Sequence, residues 1–439
     1  MNFTTDYRLE NFILQTQWAD IPAPVQERLR GCMLDLLGAL VAGSGSGQFA
    51  AGLALARRAF RSGDIAVIGA ADTFDFLGAS AAMGHASNAY DIDDGHNIIR
   101  AHPGTSFIGG LLAAGYECDL NAQDFLAALY VSYETTIRMG EAIMDYYQYA
   151  HSSGTFGAVG VAAGAGRIYG LDRAALNNIL SIAEFNAPLV PGIRSVEYPS
   201  MNKDGVPFGV MIGALALLAD QCGFTGNKHL LEADEYRRYL DDLGQNHEVM
   251  ALYFKPYPCC RWGHPAIDAC LALMAEHHVT AQDIKSVTVE TFYKATQLSK
   301  GIPSCADAAQ YNIAYPVAAA IVNNGFSIQQ VENTNDDAVI DMMGRLSFVC
   351  DPELDAQFPA RRLCRAAMVL KDGRRIVSDV HEPRGEACEN IGYDWLADKF
   401  HRITAHRLTS PQQEVFIQRL HNDDWTVRQL ISQVNAALL

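Results

Sequence analysis

In the run PVQERLRGCMLDLLGALVAGSG, residues Val25, Leu29, Cys32, Met33, Leu36, Leu37 and Leu40 fall at three- and four-residue steps, and Gly43 begins the C-terminal break. That spacing predicts an amphipathic helix with one apolar face. The same period returns in FLGASAAMGHASNAYDI, FIGGLLAAGYE, AQDFLAALYVSYETTIRMGEAIM, SGTFGAVGVAAGAGRIYG, RAALNNILSIAEF and FGVMIGALALLADQ. Several of these are rich in Ala and Gly, which lets helix backbones approach closely in a buried bundle. Near residue 280 the period changes: IKSVTVETFY alternates β-branched and polar residues as a half-buried strand does. RLSFVCD and AAMVLKDGRRIVSDV predict further strands, the last a hairpin around Asp372-Gly373, with a helix AYPVAAAIVNNG between them. The chain then returns to helices in YDWLADKFHRIT, SPQQEVFIQRLHN and TVRQLISQVNAALL, which could pack on either part. The expected fold is mainly α, a large helical part with a small α+β domain at roughly residues 270 to 390.

Length and charge narrow the function. A chain of 439 residues exceeds what one hydrophobic core usually supports, which points to two domains. Fifty acidic against 33 basic side chains leave a net charge of -17, which repels nucleic acid and anionic membrane surfaces. An anionic ligand would therefore need cations concentrated locally. The ten cysteines show no C-x-x-C pair or zinc-like spacing and read as reduced thiols of a cytoplasmic protein. MNFTTDYRLENFILQ lacks a basic region leading into an apolar core, so no signal peptide is expected, and apolar runs such as GVMIGALALLAD end short of the roughly 20 residues a membrane span needs.

The stretch AYDIDDGHNIIRAHPG gathers Asp91, Asp93, Asp94, His96 and His102 in an apolar neighbourhood. As a calcium loop starting at Asp91 it fails twice, because position five is Gly95 and position twelve is His102. Zinc would need a fuller ligand set than two histidines six apart. A solvated helix face, with His102 capping a turn before Pro103, is the plain alternative, but unpaired carboxylates between apolar helices would be costly. Other cues converge. His151 precedes a Ser-Ser-Gly-Thr turn that opens a buried helix, whose N-H groups can hold an anion. Lys203 precedes another small-residue helix; a lone lysine is usually a solvated charge, whereas a desolvated one is a cation for a carboxylate or a proton donor. FKPYPCCRWGHPAIDA sets Lys255, Tyr257, Arg261 and His264 around two prolines at the domain boundary, where clefts form. Cys259 and Cys260 there read as packing residues, since no local signature supports an activated thiol.

These motifs, HASNAYDIDDGH with HPG, HSSGTFGAVGVAA, MNKDGVPFGVMIGALALLADQCGF, FKPYPCCRWGHPAIDA and AQYNIAYPVAAAI, resemble the MmgE/PrpD family over most of the chain. The family includes 2-methylcitrate dehydratase, cis-aconitate decarboxylase and iminodisuccinate epimerase. The resemblance implies an all-helical domain of residues 1–268 and 393–439, an α+β lid of 269–392, and an active site between them. It also implies a homodimer working without metal or organic cofactor on a small polycarboxylate. By motif, the site residues implied are Asp91, His102, His151, Lys203, His264 and Tyr315. One position departs: where DFDDT is common this chain has DIDDG, so Gly95 replaces a threonine and substrate contacts shift. FKPYPCCRWGHPAIDA looks more like the decarboxylase and epimerase branches than the bacterial methylcitrate dehydratases.

The family's reactions share one hard step, forming a carbanion beside a carboxylate. That step needs a base aimed at carbon, which typically contributes about 10²–10⁴ in rate, and cations that stabilise the enediolate. Lys203 and His264, with Lys255, Arg261 and Gly95 as further contacts, are expected to hold the substrate. His102 or His151 moves the proton, Asp91 orients a histidine, and Tyr315 completes the site as the lid closes. The first expectation is a cofactor-independent lyase, by dehydration or decarboxylation. An epimerase using two bases is the alternative, and a catalytically silent binding protein is a third.

Overall fold

The helices expected from the three-and-four periodicity form. In this computed structural model, which describes residues 1–149 and 151–439, helix covers 58% of the chain and strand 11%, a mainly α fold with a small α+β part. The elements that position the site are numbered in chain order. Helix α1 (Ala23–Gly43) is followed by α2 (Phe76–Ser87), α3 (Thr105–Glu117), α4 (Ala122–Tyr147), α5 (Ser153–Ile168) and α6 (Val206–Gln221). Their apolar faces, with Leu36, Leu37, Phe107, Leu111, Phe125, Phe156 and Val161 fully buried, make a first core. Close approach is literal here. A Cβ added to Gly154 at the start of α5 would lie 2.1 Å from the Gly205 carbonyl oxygen, and one on Gly209 would lie 2.4 Å from that of Gly154.

Two short strands link this body to the rest: β1 (Asp94–His96) pairs antiparallel with β2 (Leu252–Phe254). Helix α7 (His264–His277) follows, and residue 268, where the sequence divides the chain, lies inside it. The buried face of α7, Ile267, Cys270 and Leu273, joins a second core with the sheet and with α9 (Ala314–Asn323). The sheet has the order β4-β3-β5-β6: β3 (Ile284–Thr291) lies parallel to β4 (Leu346–Cys350) and antiparallel to β5 (Cys364–Leu370), which turns at Asp372-Gly373 into β6 (Arg375–Val377). The short helix α8 (Ala306–Gln310) precedes α9.

The C-terminal helices pack on the first body. Leu396 and Phe400 of α10 (Tyr393–Thr404) are buried in its core, and Cβ atoms added to Gly31 and Gly38 of α1 would run into Leu396 and Ile403. Among the described residues no single helix is long and apolar enough to cross a membrane.

Candidate active site

The loop between α2 and α3 carries the acidic cluster, and the β1–β2 register decides what faces it. Asp94 lies opposite Phe254, so the next residue, Lys255, is delivered to Asp91. Its Nζ sits 2.7 Å from Asp91 Oδ1 and donates to the Asp91 carbonyl at 2.8 Å. Asp91 has φ 51°, a left-handed conformation that side-chain-bearing residues adopt at a cost, and this double contact holds it there. Burial alone would depress the Lys255 ammonium's pKa; the Asp91 charge outweighs it and keeps the pKa above the ordinary value.

His102 sits among three carboxylates. Its Nδ1 is 2.9 Å from Asp93 Oδ2, and its Nε2 is 3.2 Å from Asp91 Oδ1 and 3.4 Å from Asp204 Oδ2. Burial opposes the imidazolium, but Asp93 and Asp91 prevail and raise its pKa to about 9. Burial likewise opposes the Asp93 carboxylate, and His102 carries it down to about 2. Asn88 Nδ2 and Thr105 Oγ1 also donate to Asp93, at 3.0 and 2.9 Å, which fixes the orientation of the ring that Asp93 holds. Asp94 lies deeper, accepting from the Gly104 N-H at 3.0 Å and from the Tyr133 hydroxyl; burial and the Asp93 charge raise it to about 7. From behind, Lys399 of α10 bridges Asp35 at 2.5 Å and the Ile92 carbonyl at 2.6 Å, anchoring the loop to the C-terminal helices.

The close contact of α5 with the NKDG turn supplies the next wall. Gly154 N-H donates to the Asp204 carbonyl at 2.8 Å, and His102 N-H donates to Ser153 Oγ at 2.9 Å. His151, Asp204 and His102 thereby border one cavity of about 470 Å³. His151 is buried, neither ring nitrogen has a partner among the described residues, and its ring lies 4.0 Å from that of Tyr149. Burial lowers its pKa to about 4, so it is neutral at pH 7. Arg100, Lys255, Arg261, Lys294 and Arg362 line the cavity against two carboxylates, Asp91 and Asp204. A chain of strongly negative net charge has gathered its cations here, as an anionic ligand requires.

Asp91, Asp93 and His102 offer ligand atoms within 4.8 Å of one another, the spacing a metal ion could use. The Lys255 ammonium already occupies the cation position beside Asp91, and both His102 nitrogens face carboxylates. The donor set therefore fits an organic cation–carboxylate cluster better than a metal centre.

Asp91, His102, His151, Lys255 and Arg261, all expected from sequence, line the cavity; Lys203, His264, Tyr315 and Gly95 do not. Lys203 is turned toward α8, with Nζ 2.6 Å from Gln310 Oε1 and 2.9 Å from Asp307 Oδ1, so it ties the NKDG turn to the α+β part. His264 stands behind Arg261. Its Nδ1 is 3.4 Å from Arg261 Nη1, and its Nε2–H donates to the Cys259 carbonyl at 3.0 Å. Burial and the neighbouring guanidinium hold it well below the ordinary histidine range, so it stays neutral and steers Arg261. The Tyr315 hydroxyl points into the second core and donates to the carbonyls of Gln330 and Asn333, both at 2.7 Å. Tyr311, in the link between α8 and α9, lines the cavity instead; among the described residues its hydroxyl is buried without a hydrogen-bond partner. Gly95 faces Tyr253: an added Cβ would lie 2.2 Å from the ring, which lines the cavity and lies 4.6 Å beneath the Arg261 guanidinium. The Tyr253 ring thus fills the space a threonine at position 95 would need. Cys259 and Cys260 are packing thiols, pushed up by burial, Cys260 to about 12.

Sequence reasoning missed Asp204, Tyr311, Arg100, Arg362 and Tyr253. Asp204 directly follows Lys203, and Arg100 and Tyr311 lie inside motifs already singled out, so proximity was the available signal. Arg362 and Tyr253 carry no local signal.

No curated protein matches the chain. The family model for the MmgE/PrpD N-terminal domain matches residues 7–242, and that for the MmgE/PrpD C-terminal domain matches residues 257–423. The two matches contain nearly every residue of the cavity wall, Tyr253 and Lys255 excepted. Matched over almost its whole length, the protein belongs to the MmgE/PrpD family, whose chemistry is of the dehydratase and lyase type.

Proposed function

We propose that the protein is a cofactor-independent lyase that eliminates water or carbon dioxide from a small di- or tricarboxylate through a carbanion beside a carboxylate. The observation that carries this reading is a pair of histidines in one cation-lined cavity with opposite protonation, His102 charged and His151 neutral at pH 7. Environments that drive two titratable groups apart assign acid and base. Lys255 and Arg261 face the substrate carboxylate on which charge develops, and in dehydration neutral His151 takes the proton from the neighbouring carbon. In dehydration, His102 gives its proton to the leaving hydroxyl, which departs as water; in decarboxylation, carbon dioxide leaves and His102 protonates the remaining carbanion. Asp93 keeps the His102 ring in place throughout.

An epimerase is the second reading, favoured by the same two histidines, since removing a proton from one face and returning it to the other uses two bases. The proposal also includes a lid of residues 269–392 closing on a body of 1–268 and 393–439, and a homodimer. The dimer would cover Phe185, Tyr198, Phe208 and Phe224, large apolar side chains exposed along one stretch of chain. Light scattering that gives a monomer mass would count against it.

Incubation with citrate, 2-methylcitrate and cis-aconitate, following carbon dioxide release and alkene absorbance, tests the lyase. Dehydration that disappears in His151→Gln, or decarboxylation that disappears in His102→Gln, supports it, and inertness toward all three removes its basis. Deuterium from solvent entering a chiral dicarboxylate without net product would favour the epimerase.

A further inference from the structure

One part of the cavity wall has no use for a carboxylate. Phe292 and Phe358 stack with ring centres 4.7 Å apart and planes at 9°, and Trp262 meets both edge-on at 6.3 and 6.2 Å. Phe292 is fully buried and, with Ala295, Leu298 and Ile313, forms an apolar cluster separate from both main cores. Trp262 and Phe358 pack on that cluster but are only partly buried themselves, and both line the cavity. Ile193 and Val196, from a third stretch of chain, extend the same wall. Cys260 joins the two regions: it packs on the aromatic cluster and lies close enough to Asp91 and Lys255 for their charges to act on it.

A bare di- or tricarboxylate would press polar oxygens against these rings and strip their water without return, which is unfavourable. A hydrocarbon group in the same place gains by leaving water and needs no partner. We propose that the substrate carries a hydrocarbon substituent, a ring or short chain beside its carboxylates, seated against Trp262, Phe358, Ile193 and Val196. The proposal rests on the carboxylate reading above and specifies which carboxylates qualify.

Calorimetric titration of the full chain with succinate, tricarballylate and benzylsuccinate tests it. Benzylsuccinate is expected to bind at least about tenfold more tightly than succinate, the factor that burying on the order of two methylene groups produces. In Trp262→Ala and, as a milder change, Phe358→Leu, the ratio of the two affinities should fall toward one, with circular dichroism confirming that each variant is folded. Equal affinity for succinate and benzylsuccinate in the unmodified protein overturns the substituent and leaves the carboxylate site standing. A preference that survives both substitutions overturns the assignment of this wall. Binding of none of the three removes the carboxylate reading, and the substituent with it.

Discussion

Replacing His102 by Gln removes the one titrating ring in the carboxylate cluster, so pH should affect the two proteins differently. His102 has a folded pKa of about 9 against the ordinary histidine value of 6.5, a difference of about 2.5. At about 1.36 kcal/mol per unit this corresponds to about 3 kcal/mol. Because the folded value is raised, this stabilisation is fully present below pH 6.5 and is lost as pH rises through about 9. The variant lacks it throughout, while ionisations common to both proteins cancel in the comparison. The gap in melting temperature should therefore be wide at pH 6.5 and shrink by on the order of 5 °C by pH 9.5. Histidine labelled at Cε1 gives a direct reading by NMR: the resonance missing from His102→Gln should titrate near 9. A midpoint at or below 6.5, or a melting gap that does not change with pH, would refute the placement of His102 among its carboxylates.

Lys255→Met should leave Asp91 buried beside an apolar chain and cost about 3–5 kcal/mol, measured as a lower melting temperature together with lost turnover; an unchanged midpoint would contradict the ion pair. Gly95→Thr puts a Cβ into the Tyr253 ring and should cost about 1–3 kcal/mol, with recovery in the double variant carrying Tyr253→Ala; additive losses would show that the two positions are independent. Tyr311→Phe removes a buried hydroxyl that has no partner. Melting should be unchanged or slightly higher while turnover falls, and a clear loss of stability would mean that the hydroxyl is bonded within the fold.

Period and composition found many of the helices and the sheet, α7 not among them, because a buried bundle writes its three-and-four spacing into the sequence and a half-buried strand writes its alternation. Period alone did not show the side to which the C-terminal helices return, since Leu396 and Phe400 would suit either core equally well; only the family resemblance assigned them to the helical domain. At the site, short-range motifs located Asp91, His102 and His151, whose neighbours in sequence are also neighbours in space. Tyr311 and Tyr315 could not be told apart, because Tyr311 lies in the short link after α8 and Tyr315 in the first turn of α9, and only the path of that link decides which faces the cavity. Lys203 and Lys255 are both buried lysines in suggestive motifs, and which one meets Asp91 depends on a strand register set by residues about 160 positions apart. The Gly95 departure was visible, but its cause, a tyrosine opposite it on the paired strand, was not.

A crystal structure of the protein with tricarballylate bound would locate the ligand directly. Its carboxylates are expected to lie between His102, Lys255, Arg261 and Arg362, within hydrogen-bond distance of at least two of them, with Tyr311 Oη close to one carboxylate oxygen. Tricarballylate held outside this cavity, or contacted by Lys203, His264 and Tyr315 in place of those residues, would contradict the site.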